Sequence, residues 1–389
     1  MNLLLLDDKG KALSLALRAS QAGHTIKWYV PDTEVGNGFR GFERVDNWVA
    51  HAAWADLIFN CGCEKFEAKL RQLMQRSFPI WNTPCTLKFE DYAALAPATE
   101  QFSSVDALVK HLYSKPARYV LKGEDVDTFE SYSAADMLAH VRSLPTPEGD
   151  LLLQDYVEGL QATVTRHMGR DGWVGPVLEG LTHTGISRWV EASTLFDDTL
   201  GTMTDLLLQR GLRGTATVKC CITPQGDAVV FKAKCRWAME STAQPTSDPV
   251  QWALDALSSK DTATYRTEDM AFYLKLESEE PGAPVYGITR GVAVHAQPIM
   301  VQLRRMPDMN ADGTAIVERD LWVTAGEYPF AVSGYGMSAK QAMRRAMSTV
   351  DKVHVAETEP DIEDEYFAGL SSKLSAAQSA GYLTALKYE

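Results

Sequence analysis

The sequence predicts a multidomain protein built from α/β and α+β units, and three observations carry that expectation. The chain opens as apolar run, turn, amphipathic stretch and second apolar run (LLLL, DDKGK, ALSLALRASQAGH, TIKWYV), which is the pattern of a βαβ unit. Over residues 212–242, two β-branched runs (LRGTATVKCCI and AVVFKAKCRWAMEST) flank the polar turn TPQGD. They read as an antiparallel hairpin in which Gly226 relaxes the turn. At 389 residues the chain is also longer than one hydrophobic core usually serves, so several units are expected.

Composition narrows the function classes. A formal net charge of −13 argues against general nucleic-acid or anionic-membrane binding, because such surfaces need a basic stripe to neutralise phosphates. A local basic pocket is compatible with it. No run approaches the ~18 apolar residues of a membrane span, and MNLLLLDDKGK lacks the basic start and long apolar stretch of a secretory signal. The six cysteines (Cys61, Cys63, Cys85, Cys220, Cys221, Cys235) are sparse for this length and fit a reducing, cytoplasmic setting. Cys61 and Cys63 are too close for a CxxC motif and no histidine pair has ligand spacing, so no metal centre is expected there.

Taken in order, residues 3–6 read as a buried first strand. The turn after such a strand faces a ligand crevice in doubly wound folds. Here it holds a single glycine, Gly10, with Asp7 and Asp8 facing any anion, so a dinucleotide cradle is not expected. The strand-like ADLIFNCGCE, the helix-like FEAKLRQLMQRS and the extended FPIWNTP complete an α/β domain over residues 1–85. Residues 86–157 hold a polar connection, a helix near 104–114 begun by Ser104, the strand ARYVLKG, a polar loop, the helix AADMLAHVRSL and the strand LLLQDYVEG. Residues 158–280 hold a hairpin around GRDG, one amphipathic helix over ASTLFDDTLGTMTDLLLQRG, the central hairpin, the stretch DPVQWALDALSS and a polar boundary ending in EEPGAP. Over residues 281–389, YGITRGVAVHAQPIMVQL, RDLWVTAGEYPFAVSGYG and the helix SAKQAMRRAMSTVDKV form an α+β domain, followed by an acidic tail and a short helix.

Lys232, Lys234 and Arg236 lie two apart, so in a strand they share one face. Three cations on one face repel unless something anionic, such as a phosphate group, lies against them. The plainer reading is a solvated edge strand. Lys122, at a strand end before a loop, can reach into a cleft or stay on the surface. His295 and His354 read as packing or surface residues, and Trp189 and Trp237 as core or cleft wall.

The order of these elements, together with FAVSGYGMSAKQAMRRAMSTVDKVH, YVLKG, LLLQDYVEG and VVFKAKCRW, resembles the ATP-grasp superfamily and within it phosphoribosylamine–glycine ligase, an enzyme of purine biosynthesis. The resemblance implies a pre-ATP-grasp domain over 1–85, a linker and lid subdomain over 86–157, a large subdomain over 158–280 and a C-terminal domain over 281–389. It implies ATP as a co-substrate and ligation of a small carboxylate to an amine through an acyl phosphate, with catalysis by charge stabilisation and positioning. It places Lys122 on the nucleotide phosphates and makes Gln154, Asp155, Tyr156 and Val157 the adenine hinge. Arg236, with Lys232 and Lys234, falls at the catalytic centre.

The sequence departs from the family there. The family pattern E-F-N-x-R reads Lys232, Ala233, Lys234, Cys235, Arg236, so lysines stand where oxygen donors would hold Mg2+. An ammonium cannot coordinate that hard cation. Other oxygen ligands would be needed, for which Glu179, Glu191 and Asp227 are the candidates. The Gly-rich phosphate loop is replaced by EDVDTFE at residues 124–130, and the N-terminal G-x-G-G-R by DDKGK at residues 7–11. Two readings stay open. One is a divergent ATP-dependent carbon–nitrogen ligase in which Lys232 and Lys234 supply charge in place of the metal. The other is a catalytically inactive descendant acting as an anion-binding or protein-interaction module. A third, an unrelated multidomain α/β protein, sets the resemblance aside.

Overall fold

The run of leucines at residues 3–6 is wholly buried, as expected of a strand covered on both faces. A computed structural model describes residues 1–31, 33–62, 65–123, 126–144, 150–237, 243–244, 248–260, 264–278, 282–288, 296–309, 314–355, 358–362 and 364–389. In it β1 (Asn2–Leu6), α1 (Leu13–Gln21), β2 (Thr25–Tyr29), β3 (Glu43–Arg44), β4 (Leu57–Asn60), α2 (Glu67–Gln75) and β5 (Ile80–Trp81) build a five-stranded parallel sheet of order β3-β2-β1-β4-β5. Leu3 and Leu5 join α1 in the main core, while Leu4 and Leu6 join Leu70 and Leu73 of α2 in a second cluster. The helices thus cover opposite faces, which is why the strand reads as a continuous apolar run.

The next unit is a four-stranded antiparallel sheet of order β6-β9-β7-β8, formed by β6 (Thr99–Phe102), β7 (Tyr119–Gly123), β8 (Phe129–Glu130) and β9 (Leu151–Asp155). Its helices α3 (Val105–Ser114) and α4 (Ala134–Ser143) pack Leu108, Leu112, Met137 and Val141 on Leu121, Leu151 and Leu153. Both begin at serine caps: the Ser104 hydroxyl accepts from the Ala107 N–H at 3.3 Å and the Ser133 hydroxyl from the Asp136 N–H at 3.1 Å. Strands β6 and β8 fall where the sequence predicts a connection and a loop. Both are edge strands, largely solvent-facing, so they lack the apolar alternation that marks a strand.

The rest of the chain is organised by a nine-stranded antiparallel sheet. Its strands are β10 (Leu160–Met168), β11 (Trp173–Leu181), β12 (Ile186–Val190), β13 (Gly214–Ile222), β14 (Ala228–Cys235), β15 (Met270–Ser278), β17 (Ala296–Pro298), β20 (Phe330–Gly336) and β22 (Thr358–Pro360). The order is β14-β13-β10-β11-β12-β15-β20-β17, with β22 pairing β15. The sheet continues through the boundary expected near residue 280, since β15 pairs both β12 and β20. Strand β16 (Val285–Ile288) pairs β21 (Val353–Val355), and β18 (Val301–Met309) pairs β19 (Ile316–Thr324) as a separate ribbon. Helices α7 (Pro249–Leu257), α8 (Ala339–Val350) and α9 (Leu370–Ser379) pack around the main core.

The single helix expected over residues 192–211 is instead broken into α5 (Thr194–Asp198), a 3-10 turn (Leu200–Met203) and α6 (Thr204–Gln209). Thr199 leaves helical geometry at φ −126° and ψ −95°. The hydroxyls of Thr199, Thr202 and Thr204 donate to the carbonyls of Leu195, Thr199 and Gly201, which competes with continuous helix. Among the described residues no helix is long and apolar enough to cross a membrane.

Candidate functional site

The hairpin of β13 and β14 pairs Ile222 with Ala228 and Cys220 with Val230 near its turn, then Lys219 with Lys232 and Thr217 with Lys234 further out. Phe231 is the extra residue between these two registers, a β-bulge. Val230 is buried, and strict alternation from it would have turned Lys232 and Lys234 into the core as well. The bulge resets the alternation, so Ala233 packs inward and both lysines face the opposite side. The same register sets Lys219, unmarked by any local motif, directly across from Lys232. Thr163 and Thr165 of β10 continue this face beside Lys219 and Thr217, and the Thr165 and Thr217 hydroxyls lie 2.8 Å apart.

A fourth lysine arrives from the four-stranded sheet. Lys122 of β7 donates to the Phe231 carbonyl at 2.5 Å and to Gln154 Oε1, so the bulge is where the two sheets meet. Burial, then the positive charge of Lys232, pushes Lys122 down to about 8. Lys234 is pushed further, to about 7, first by burial and then by Arg236, Lys232 and Lys219. Arg236 is exposed at the end of this row. Lys11, in the turn after β1, is also lowered by burial and by Lys275, Lys9 and Arg236, with Glu327 opposing. The Tyr328 ring lies 5.8 Å from the Lys11 amine and 4.5 Å from that of Lys275. Arg236 thus lies within electrostatic reach of the N-terminal turn, which also carries the half-buried Asp8.

Asp7 does not face an anion there, contrary to the sequence expectation. It is 1 % exposed and accepts from the backbone N–H groups of Ala12 at 2.8 Å and Lys9 at 3.2 Å. The carboxylate is spent on closing its own turn, in which Gly10 takes φ +70°.

The four hinge residues sit where the four-stranded sheet hands the chain to β10. Gln154 is 1 % exposed, and its amide nitrogen donates to the Thr99 hydroxyl at 3.1 Å. The Asp155 N–H bonds to the Ala98 carbonyl at 2.9 Å and the Tyr156 N–H to the Arg118 carbonyl at 3.2 Å. The Arg118 guanidinium covers the Tyr156 ring at 3.6 Å. The Val157 carbonyl accepts from the Cys221 thiol at 3.5 Å.

The proposed oxygen donors do not gather at this cluster. Glu179 pairs with Val164 of the core, on the face opposite the lysines, and accepts from the Ser193 hydroxyl at 2.5 Å. Glu191 is exposed after β12, and Asp227 lies in the hairpin turn, at the other end of β14 from Lys234. Among the described residues no group of three His, Cys, Asp or Glu could hold a metal ion. The ammonium groups at the Lys232 and Lys234 positions are not ligands for Mg2+. Residues 124 and 125 of the replaced phosphate loop, with Cys63 and His295, lie outside the described residues.

Around the cluster, Trp189 and Trp237 are buried against His167, at ring separations of 5.8 and 6.2 Å, and burial pushes His167 down to about 3. His354 is exposed on β21. A small cleft at the carboxyl ends of β4 and β5 is lined by Asn60, Asn82, Cys85, Cys235 and Arg236. The Cys85 and Cys235 thiols meet there in a hydrogen bond that lowers Cys85. This contact joins residues 150 positions apart in sequence, so no local motif announces it.

A small antiparallel sheet meeting a large one at a lysine-lined cleft, beside a doubly wound N-terminal sheet, is the arrangement of the ATP-grasp fold, and the chain has that fold. Solved ATP-grasp structures match it over nearly its whole length. Phosphoribosylamine–glycine ligase from Thermotoga maritima is 14% identical with a TM-score of 0.63, over 93% of this chain and 100% of that one. N5-carboxyaminoimidazole ribonucleotide synthetase from Thermotoga maritima is 13% identical with a TM-score of 0.61, over 91% and 99%. The biotin carboxylase domain of 2-oxoglutarate carboxylase from Hydrogenobacter thermophilus, solved with MgADP, ADP and bicarbonate, is 10% identical with a TM-score of 0.57, over 92% and 91%. At these identities the likeness is one of fold. No protein-family model matches the sequence, and no curated protein matches it.

Proposed function

We propose that the chain is a divergent ATP-grasp ligase that joins a small carboxylate to an amine through an acyl phosphate. The observation that carries this reading is the meeting of Lys122 with the Phe231 bulge, beside the face that bears Lys219, Lys232 and Lys234. A nucleotide seated between the sheets would have the backbone of Gln154, Asp155, Tyr156 and Val157 at its base and these lysines along its phosphates. Their fixed charge stabilises the transferring phosphoryl group. Arg236, exposed at the row's end, orients the carboxylate whose oxygen attacks the terminal phosphorus. ADP leaves, the amine attacks the acyl carbon and inorganic phosphate departs. The departing phosphate takes up the proton that the attacking amine sheds. The likeness to phosphoribosylamine–glycine ligase and N5-carboxyaminoimidazole ribonucleotide synthetase makes their class of small substrate the first to screen, and six cysteines in 389 residues suit a reducing, cytoplasmic setting.

One observation favours the second reading, an inactive anion-binding descendant or protein-interaction module: the usual oxygen-donor positions carry lysines. Hydroxylamine separates the two, because it traps any acyl phosphate as a hydroxamate whatever the natural amine. Incubation with ATP and a panel of small carboxylates is expected to give ADP and hydroxamate in equal amounts from at least one acid. Lys122→Ala should slow this by about tenfold or more, the loss of roughly 1.4 kcal/mol of transition-state stabilisation. ATP binding without hydroxamate from any acid would instead establish the inactive module.

A further inference from the structure

Two thiols from distant parts of the chain meet at the cleft below β4 and β5. Cys85 lies in the segment that follows the N-terminal sheet, and Cys235 ends β14. That segment is fastened to the start of β13. The Thr83 N–H donates to the Arg213 carbonyl at 3.0 Å, the Arg213 N–H to the Thr83 hydroxyl at 2.8 Å and the Thr215 N–H to Asn82 Oδ1 at 2.8 Å. One residue further along β13, Ala216 pairs with Cys235. The docking therefore carries Cys85 to Cys235, and their thiols are in hydrogen-bond contact. Cys85 is buried and Cys235 half-buried, so the cleft they line is the route by which a small oxidant reaches them.

The surroundings favour the anion at Cys85. The hydrogen bond with Cys235 lowers it most; burial opposes that, and the Arg210 and Arg71 guanidiniums favour the thiolate against Asp91. Arg210 is fixed beside it, donating to the Thr86 carbonyl and to Asp91, each at 2.7 Å. Cys220 and Cys221 are the contrast: burial pushes both up, Cys221 to about 11. A thiolate is the form that peroxide oxidises, and a thiol next to it turns the product into a disulfide.

We propose that Cys85 and Cys235 form a peroxide-oxidised modification site, with Cys85 the reacting thiol and Cys235 the resolving one. The Cys85 thiolate attacks one oxygen of hydrogen peroxide, the O–O bond breaks, and Cys85 becomes a sulfenic acid as hydroxide leaves. Cys235 then attacks the Cys85 sulfur; the S–S bond forms, and the sulfenic hydroxyl departs with the Cys235 proton as water. The two thiols together lose two electrons and two protons, and the peroxide leaves as two waters. The bond clamps the segment after the N-terminal sheet to the end of β14, next to Arg236. In a reducing setting such a bond is transient and is reversed by thiols.

The test exposes the folded full chain to a small molar excess of hydrogen peroxide, unfolds it in N-ethylmaleimide to cap the remaining thiols, and maps its peptides by mass spectrometry. A Cys85–Cys235 cross-linked peptide is expected, lighter than the two thiol peptides together by about 2 Da, the two hydrogens lost on oxidation, and separated by dithiothreitol. With dimedone present during oxidation, Cys235→Ser should carry a labelled sulfenic acid at Cys85, while Cys85→Ser should keep Cys235 as a capped thiol. A packing contact alone would not give that asymmetry. Recovery of both cysteines as maleimide adducts, or a bridge from Cys85 to a different cysteine, would overturn the proposal. Dimedone on Cys235 in Cys85→Ser, with none on Cys85 in Cys235→Ser, would overturn it too. None of these readouts needs ATP, so the outcome is independent of the ligase reading.

Discussion

Lys232 and Lys234 reach the cleft because one residue, Phe231, interrupts the alternation of β14. Their spacing is visible in sequence, and so is their shared face. Lys219 is not, because its position across from Lys232 depends on a long-range register and on the bulge, neither of which local pattern encodes. Burial, and after it the charges of Arg236, Lys232 and Lys219, leave a pH signature at Lys234. In the folded chain it releases its proton near 7, against an ordinary lysine value of 10.5. Below pH 7 both folded and unfolded chains hold the proton, and the fold bears the full cost of the crowded charge. As pH rises from about 7 to 10.5 the folded chain sheds it first, so that cost fades and this residue's burden on stability disappears. Lys234→Met keeps the apolar stem and removes the charge. It should raise the melting temperature by about 2–4 °C at pH 6, with the gain shrinking toward pH 10. An equal shift at both pH values would contradict the assignment.

Elements whose faces are sharply apolar were legible: β1, α1, α3, α4 and the central hairpin follow from periodicity and turn chemistry. The edge strands β6 and β8 were not, since one residue pattern serves an exposed strand and a loop alike. The break between α5 and α6 arises from threonine hydroxyls that bond back to the backbone, a competition that apolar periodicity does not register. The string FAVSGYG has a clear packing reason in β20. A Cβ at Gly334 would stand 2.1 Å from the Ala342 carbonyl of α8, so helix and strand approach only because that atom is missing. Ala342 and Ala346 keep the facing helix surface equally small. Gly334→Ala should therefore cost about 2–3 kcal/mol in urea unfolding, by forcing α8 off the sheet. A change below about 0.5 kcal/mol, the range of ordinary surface substitutions, would mean that the contact yields without strain.

At the scale of the whole chain, an ATP-grasp-like architecture that opens with a βαβ unit and ends in an α+β part was readable from sequence, and the solved structures of the same fold cover it almost end to end. The path of the large sheet was not, because β15 pairs β12 and β20, strands far from it in sequence, and such long-range pairing leaves no local pattern. The central claim is that a nucleotide lies between the small sheet and the large one, on the row of lysines. Hydrogen–deuterium exchange with and without saturating ATP in EDTA tests that location directly. Protection is predicted in peptides covering residues 119–123, 154–157 and 228–236, with the β18–β19 ribbon unchanged. Protection confined to other segments, or none at millimolar nucleotide, would contradict it.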